Sequence, residues 1–265
     1  MCGIAGYFLN SKVDKKNIFK MIQAQNHRGP DGQGFYYNNS FTGGMNRLSI
    51  NGLENGNQPL FNEDKNIVVF YNGEIYNHIE LRKNLRSKGH ILKTDSDGEV
   101  ISHLYESYGI DFLNYLDGMF AISLYDKKQN KLYIARDSIG EKPLYYSRIS
   151  HNEIVYASEI KSLIQFEKIK LSINDQALWD FPTFSWVPEP YTIFKNTFSL
   201  PNGSYLEISK KNIQLNKYYY PKKNNLTYNK VQSVYNNVKS SINSRLLSEV
   251  QVGSFLSGGI DSSIV

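Results

Sequence analysis

Residues 4–9, Ile-Ala-Gly-Tyr-Phe-Leu, form an apolar run that begins almost at the start of the chain. Such a run predicts a strand anchored in a sheet, not a frayed terminus. Residues 32–38, 43–50 and 67–71 predict further strands, each bounded by Gly, Asn or Pro. The period then lengthens to that of a helix over 79–88 and 99–108, with Asp95 or Ser96 placed to cap the second. Strand patterns return at 119–125 and 131–136, and the polar stretch 126–130 between them reads as a hairpin turn. The pattern recurs at 144–147 and 154–157. After an irregular Trp-Val-Pro-Glu-Pro stretch at 186–190, it ends in a hairpin over 203–208 and 212–220. Antiparallel hairpins with a few interposed helices predict an α+β layered fold, not alternating βαβ units.

The character changes after Pro221. Val231, Val234, Val238, Ile242 and Leu246 recur at helical spacing on one face, and 250–256 follows as an apolar run that predicts a strand. Ser257-Gly258-Gly259-Ile260-Asp261-Ser262-Ser263 comes next, so helix, strand and glycine turn open a doubly wound α/β unit that stops at Val265. The expected organisation is a first domain over 2–208, a linking hairpin over 209–225 and the opening of a second domain over 226–265. No repeat or low-complexity segment interrupts it.

Composition sharpens this picture in three ways. Twenty tyrosines and fourteen phenylalanines favour packed sheets over a helical bundle. The net charge of +5 comes from lysines scattered through an Asn-, Ile- and Tyr-rich background, which reads as a solvated basic surface and argues against a nucleic-acid partner. No apolar run approaches the ~20 residues of a membrane span, and no basic segment leads into an apolar one, so a soluble cytoplasmic protein is expected.

Cys2 is the single cysteine. One cysteine excludes an intrachain disulfide and a cysteine-rich metal site, and no metal site is expected in the first domain. A thiol with a pKa of about 8.5 is mostly protonated at neutral pH, so a catalytic one needs a base. His27, His78, His90, His103 and His151 are the histidines available. A free α-amino group, with a pKa of roughly 7.7–8.0, could serve instead if Met1 were removed. On position alone, a nucleophile and a buried inert thiol are equally good readings.

Several blocks occur in order around this cysteine: Met1-Cys2-Gly3-Ile4-Ala5-Gly6, His27-Arg28-Gly29-Pro30-Asp31, Arg47-Leu48-Ser49-Ile50, Tyr71-Asn72-Gly73-Glu74-Ile75-Tyr76-Asn77 and Thr94-Asp95-Ser96-Asp97-Gly98-Glu99. Ala135-Arg136-Asp137, Gly140-Glu141-Lys142-Pro143-Leu144-Tyr145-Tyr146 and Ala157-Ser158-Glu159-Ile160-Lys161 extend them. Together they closely resemble the glutaminase domain of the glutamine-dependent asparagine synthetases, a class II glutamine amidotransferase domain. The closing block, Phe255 to Ser263, resembles the pyrophosphate loop of the same family's synthetase domain. The resemblance implies an αββα sandwich of the N-terminal-nucleophile hydrolases, followed by the first elements of an α/β nucleotide-binding domain.

It also implies roles. Cys2 would attack the glutamine amide, with Asn72 and Gly73 as oxyanion hole. Arg47 would clamp the α-carboxylate, and Asp97 with Glu74 would accept from the α-ammonium. Leu48 and Ile50 would line the glutamine site. Ser257, Gly258, Gly259, Asp261 and Ser262 would cradle the pyrophosphate of ATP, which carries Mg in the full-length enzyme, whereas the glutaminase step needs no cofactor. Each residue also has a plain structural reading: Arg47 as a surface ion-pair partner, Asp97 as a helix cap, Asn72-Gly73 as a type I′ turn. The blocks at 27–31 and 140–146 read as supports. The implied activity is release of ammonia from glutamine for ATP-dependent amidation of aspartate. An amidotransferase of the same build acting on a sugar acid or peptide-like metabolite is the alternative. The implied partners are glutamine, and aspartate and ATP through the rest of the synthetase domain; a homodimer is compatible with the resemblance.

Overall fold

The computed structural model describes residues 1–10, 15–221 and 230–265. In chain order its elements are β1 (Gly3–Phe8), α1 (Lys15–Ala24), β2 (Gly32–Tyr37), β3 (Phe41–Arg47), β4 (Leu60–Phe61), β5 (Ile67–Ile75), α2 (His78–Ser87) and α3 (Val100–Tyr108). There follow β6 (Gly118–Asp126), β7 (Lys131–Arg136), β8 (Tyr145–Arg148), β9 (Ile154–Ala157), α4 (Ile160–Leu163), α5 (Asp175–Phe184), β10 (Thr197–Ser199), β11 (Ser204–Ile208), β12 (Ile213–Lys217), α6 (Lys230–Arg245) and α7 (Ile260–Ile264). The strands form two six-stranded sheets, ordered β10-β8-β9-β1-β3-β2 and β12-β11-β7-β6-β5-β4. Every neighbouring pair is antiparallel.

The alternation of side chains along the central strands explains the layering. On β1, Ile4 and Phe8 enter a core shared with Val68, Phe70 and Tyr125 of the other sheet. Ala5 and Tyr7 point the opposite way, onto Ile18, Met21 and Ile22 of α1. On β5, Val69 and Tyr71 pack against Val100, Ile101 and Leu104 of α3. Both faces of each sheet are therefore covered, giving an αββα sandwich. That is also why these strands read as apolar runs instead of alternating ones. Among the described residues no helix is long and apolar enough to cross a membrane.

The outcome differs from the sequence expectation in four places. β5 continues through Asn72 and Gly73 to Ile75, because a neighbouring strand, β6, pairs with it along that whole length. A Cβ on Gly73 would lie 2.1 Å from the Met119 carbonyl oxygen, so glycine there admits the close approach of the neighbouring backbone. The expected caps do not form: Ser96 precedes a 3-10 turn, Asp97–Glu99, without a side-chain cap bond. Instead the Glu99 carboxylate accepts from the Lys93 and Thr94 amides and folds the preceding loop onto α3. Helices α1, α4 and α5 and the short strands β4 and β10 have no counterpart in the pattern reading.

The fourth difference is the apolar run 250–256, which forms no strand, with every residue exposed. A strand of a parallel sheet needs neighbours to satisfy its backbone, and no described strand runs beside it. Of the expected apolar face of α6, Val234, Val238 and Ile242 line an open groove with Ile264 of α7, and Val234 and Leu246 are 62% and 53% exposed. Val231 lies outside the described side chains.

The stability of the sandwich rests on the core between the sheets. Phe41 is fully buried there, its ring 4.8 Å from that of Tyr125. Phe41→Ala should destabilise the fold by about 3–5 kcal/mol in urea unfolding, from lost burial plus the cavity left behind. A loss below about 1 kcal/mol would show that the two sheets do not depend on this contact.

Candidate functional site

The β1–β3 register, Gly3 opposite Asn46, brings Cys2 to the end of β3. There the Leu48 amide donates to Cys2 Sγ at 3.3 Å, and the thiol faces the Leu48 carbonyl at 3.5 Å. Arg28 fixes the Cys2 backbone: its Nε donates to the Cys2 carbonyl at 2.9 Å while Nη1 bonds Glu159 at 3.0 Å. Asp31 accepts from the Ser49 amide at 2.7 Å, holding the segment that follows β3. Burial pushes the Cys2 thiol above its ordinary pKa, against the pull of the Leu48 amide, the Met1 ammonium and Arg47.

Arg47 ends β3 and is 7% exposed. Its Nη1 donates to Asn57 Oδ1 at 2.9 Å, and Nη2 to the carbonyls of Asn51 and Gly52 at 3.2 and 2.5 Å. Among the described residues no carboxylate comes within ion-pair distance of it. The buried guanidinium is thus held by neutral oxygens and keeps an unneutralised charge. It is not a surface ion-pair partner.

Asp97 has the opposite charge and makes no ion pair among the described residues, although nearby His78 favours its charged form. It is 2% exposed, accepts from the Tyr71 hydroxyl and takes the Ile75 amide at 2.8 Å. Burial pushes its carboxyl above the ordinary range, and the Tyr71 and Ile75 bonds oppose that. Its side chain caps no helix; it closes onto β5. Burial, aided by Asp97, raises the Glu74 carboxyl, and Lys142 opposes. Burial in turn lowers the Lys142 ammonium. Asn72 is 1% exposed, and its Nδ2 has no hydrogen-bond partner. A buried amide donor left unpaired costs about 1–3 kcal/mol, so an acceptor brought to it is favoured.

Cys2, Arg47, Leu48, Ile50, Asn72, Gly73, Glu74 and Asp97 all line one cavity of about 180 Å³. That is below the ~300–1,000 Å³ of drug-sized sites and suits a single amino acid. None of the five histidines lines it. The motifs do not single out Tyr71, Met119 or Lys142, which also line it. The only sequence signals are adjacency for Tyr71, which precedes Asn72, and the 140–146 block for Lys142.

The family of glutamine amidotransferase domains matches residues 1–219. The chain belongs to this family. Residues 233–265 match the asparagine synthase family. The amidotransferase chain is 39% identical over its whole length to asparagine synthetase [glutamine-hydrolyzing] 1 of Bacillus subtilis (strain 168), and covers 43% of it. It is 36% identical to putative asparagine synthetase [glutamine-hydrolyzing] 2 of Methanocaldococcus jannaschii, again over the whole chain, and covers 56% of that protein. The fold is shared with the solved glutamine phosphoribosylpyrophosphate amidotransferase of B. subtilis: TM-score 0.61 at 18% identity, covering 83% of this chain and 50% of that one.

The amidotransferase cavity is tied to the chain's last segment. The Glu249 carboxylate accepts from the Gly52 and Leu53 amides at 2.9 and 3.1 Å, and the Glu249 amide donates to the Ile50 carbonyl at 3.3 Å. Glu249 therefore braces the loop whose carbonyls hold Arg47. Ser257, Gly258, Gly259, Asp261 and Ser262 are not part of this cavity. They form a separate turn at the surface, with Gly258 at φ +81° and open space above it, and the Ser257 and Ser262 hydroxyls 2.9 Å apart.

The raised thiol pKa is measurable. Alkylation of Cys2 by iodoacetamide in the intact chain should titrate with a midpoint above the ~8.5 of a free thiol. Arg47→Met, which removes a nearby positive charge, should move that midpoint higher still. A midpoint at or below the free-thiol value would contradict the burial described.

Proposed function

We propose that this chain hydrolyses glutamine to glutamate and ammonia, with Cys2 as nucleophile. The observation that carries the reading is the charge pattern of one small cavity. A buried cation and a buried anion line it without meeting, beside a thiol and an unpartnered amide donor. A free amino acid carries carboxylate and ammonium on one carbon, so it can neutralise Arg47 and Asp97 together while its side chain extends towards Cys2. The bidentate geometry of guanidinium suits the carboxylate. Glu74, next to Asp97, adds a second acceptor for the ammonium.

The chemistry follows from the positions. As Cys2 sulfur bonds to the amide carbon its proton passes to the base, which later delivers it to the leaving nitrogen, and the carbonyl oxygen takes the negative charge. The Asn72 side-chain amide and the Gly73 backbone N–H donate to that oxygen, which stabilises the tetrahedral species more than the flat amide. The C–N bond then breaks, the nitrogen leaves as ammonia after gaining a proton, and a thioester remains. Water attacks the thioester, its proton passes to the base, and glutamate departs with the thiol restored. With no histidine in the cavity, the base is the α-amino group of Cys2, released when Met1 is removed. While Met1 is present, that nitrogen is an amide without a usable lone pair.

The turn at 257–262 supports a second half to this reading. A glycine with positive φ, open space and convergent hydroxyls suit an anionic pyrophosphate. In the longer protein, Ser257, Gly258, Gly259, Asp261 and Ser262 would hold ATP with its Mg. ATP supplies the activation that lets a carboxylate accept ammonia. The relatives' names point to aspartate as that acceptor.

The test is ammonia release from glutamine by the chain with Met1 removed. Cys2→Ala should abolish turnover. Asn72→Ala should lower kcat by about 10²–10³, or roughly 2.7–4 kcal/mol. Arg47→Met and Asp97→Asn should each raise KM for glutamine. Ammonia release that persists in Cys2→Ala would overturn the assignment.

A further inference from the structure

A second cluster of titratable side chains lies away from the glutamine cavity, on the α3 side of the second sheet. Glu63 follows β4, His90 follows α2, and His103 and Glu106 sit one turn apart on α3. His103 Nδ1 is 3.1 Å from Glu63 Oε2, His90 Nδ1 is 3.2 Å from Glu63 Oε1, and His90 Nδ1 is 3.9 Å from Glu106 Oε2. One ligand-type atom from each of the four residues lies within 4.8 Å of all the others. A tetrahedral ion with bonds of about 2.0–2.2 Å has ligand-to-ligand edges of roughly 3.2–3.6 Å, so small movements would close this set around a cation.

Two further observations point to a ligand between these groups. His103 is fully buried, yet neither ring nitrogen has an aligned hydrogen-bond partner. A buried imidazole whose nitrogens face carboxylates without an aligned bond is costly unless something else occupies a lone pair. His90 Nε2 lies 2.8 Å from Ser107 Oγ. If that nitrogen donates to the hydroxyl, Nδ1 is left with its lone pair aimed at two carboxylates, an arrangement that needs a positive charge between them.

The carboxylates are themselves braced. Glu63 Oε1 accepts from the Ile91 amide at 2.8 Å and Glu106 Oε2 from Asn62 Nδ2 at 3.1 Å. Two carboxylates and two imidazole lone pairs supply four donors of the kind that hold one dication.

We propose that Glu63, His90, His103 and Glu106 form a structural site for a divalent cation of the zinc class. The mixed imidazole and carboxylate set favours such an ion over calcium or magnesium. None of the four lines the glutamine cavity, so the ion takes no part in the chemistry there. It braces the start of α3 through Glu99, whose Oε1 lies 3.9 Å from His103 Nε2 and which holds the loop leading to Asp97.

The experiment uses the full chain carrying Cys2→Ser, so that the thiol cannot bind metal. The protein is stripped with a chelator, titrated with zinc, and assayed for bound metal after gel filtration and for its melting temperature. One zinc per chain and a higher melting temperature are expected. His90→Gln and Glu106→Gln lie towards the surface and should fold without metal, yet bind zinc about tenfold or more weakly. Loss of the zinc-dependent rise in melting temperature in both variants would support the site even where His103→Gln fails to fold. Absence of stoichiometric zinc in the parent, or equal uptake by both variants, would overturn it.

Discussion

Keeping Arg47 and Asp97 apart is the constraint on which the cavity depends. Both are almost fully buried, and burial of an isolated charge is unfavourable by several kcal/mol. Each is held mainly by neutral hydrogen-bond partners: Asn57 and two carbonyls for the guanidinium, Tyr71 and the Ile75 amide for the carboxylate. A direct ion pair between them would lower the energy of the empty protein and close the site. The sandwich prevents it by ending one sheet at Arg47 and holding Asp97, on a 3-10 turn, against a strand of the other. Arg47 ends β3, whereas Asp97 is held against β5.

The same arrangement accounts for the other features of the cavity. β1 lies between β9 and β3, so the residue before it is fixed as firmly as a core strand. Arg28 then clamps the Cys2 carbonyl from outside the sheet. β5 remains extended past Tyr71 because β6 pairs along its full length, and this delivers Asn72, Gly73 and Glu74 to one wall. The loop supporting Arg47 is secured by Glu249, so the first and last parts of the chain meet beside the Cys2 cavity.

Much of this was legible in the sequence, and the failures have physical causes. The strands that build the sandwich announced themselves as apolar runs because both sheet faces are covered. Cys2, Arg47, Asn72, Gly73, Glu74 and Asp97 stood in recognisable blocks, and the fold brings them to one cavity. Asn72-Gly73 has the composition of a turn, and only pairing with β6, which is remote in sequence, keeps it straight. Lys142 lay in a block read as a support, and what turns it into the cavity is the Asp137 carboxylate, which accepts from the Gly140, Glu141 and Lys142 amides. The run 250–256 is apolar enough for a strand but has no neighbours to pair with. The Glu63–His90–His103–Glu106 cluster draws on three separate segments, so no local spacing could reveal it.

The central claim is that Cys2, with its amino group freed, is the nucleophile of a glutamine-shaped pocket. The most direct measurement is the intact mass of the chain before and after exposure to an electrophilic diazoketone analogue of glutamine. Loss of Met1 followed by a single adduct that maps to Cys2, and that glutamine prevents, is the result this account predicts. A processed chain that takes up no adduct, or takes it up elsewhere, would contradict it.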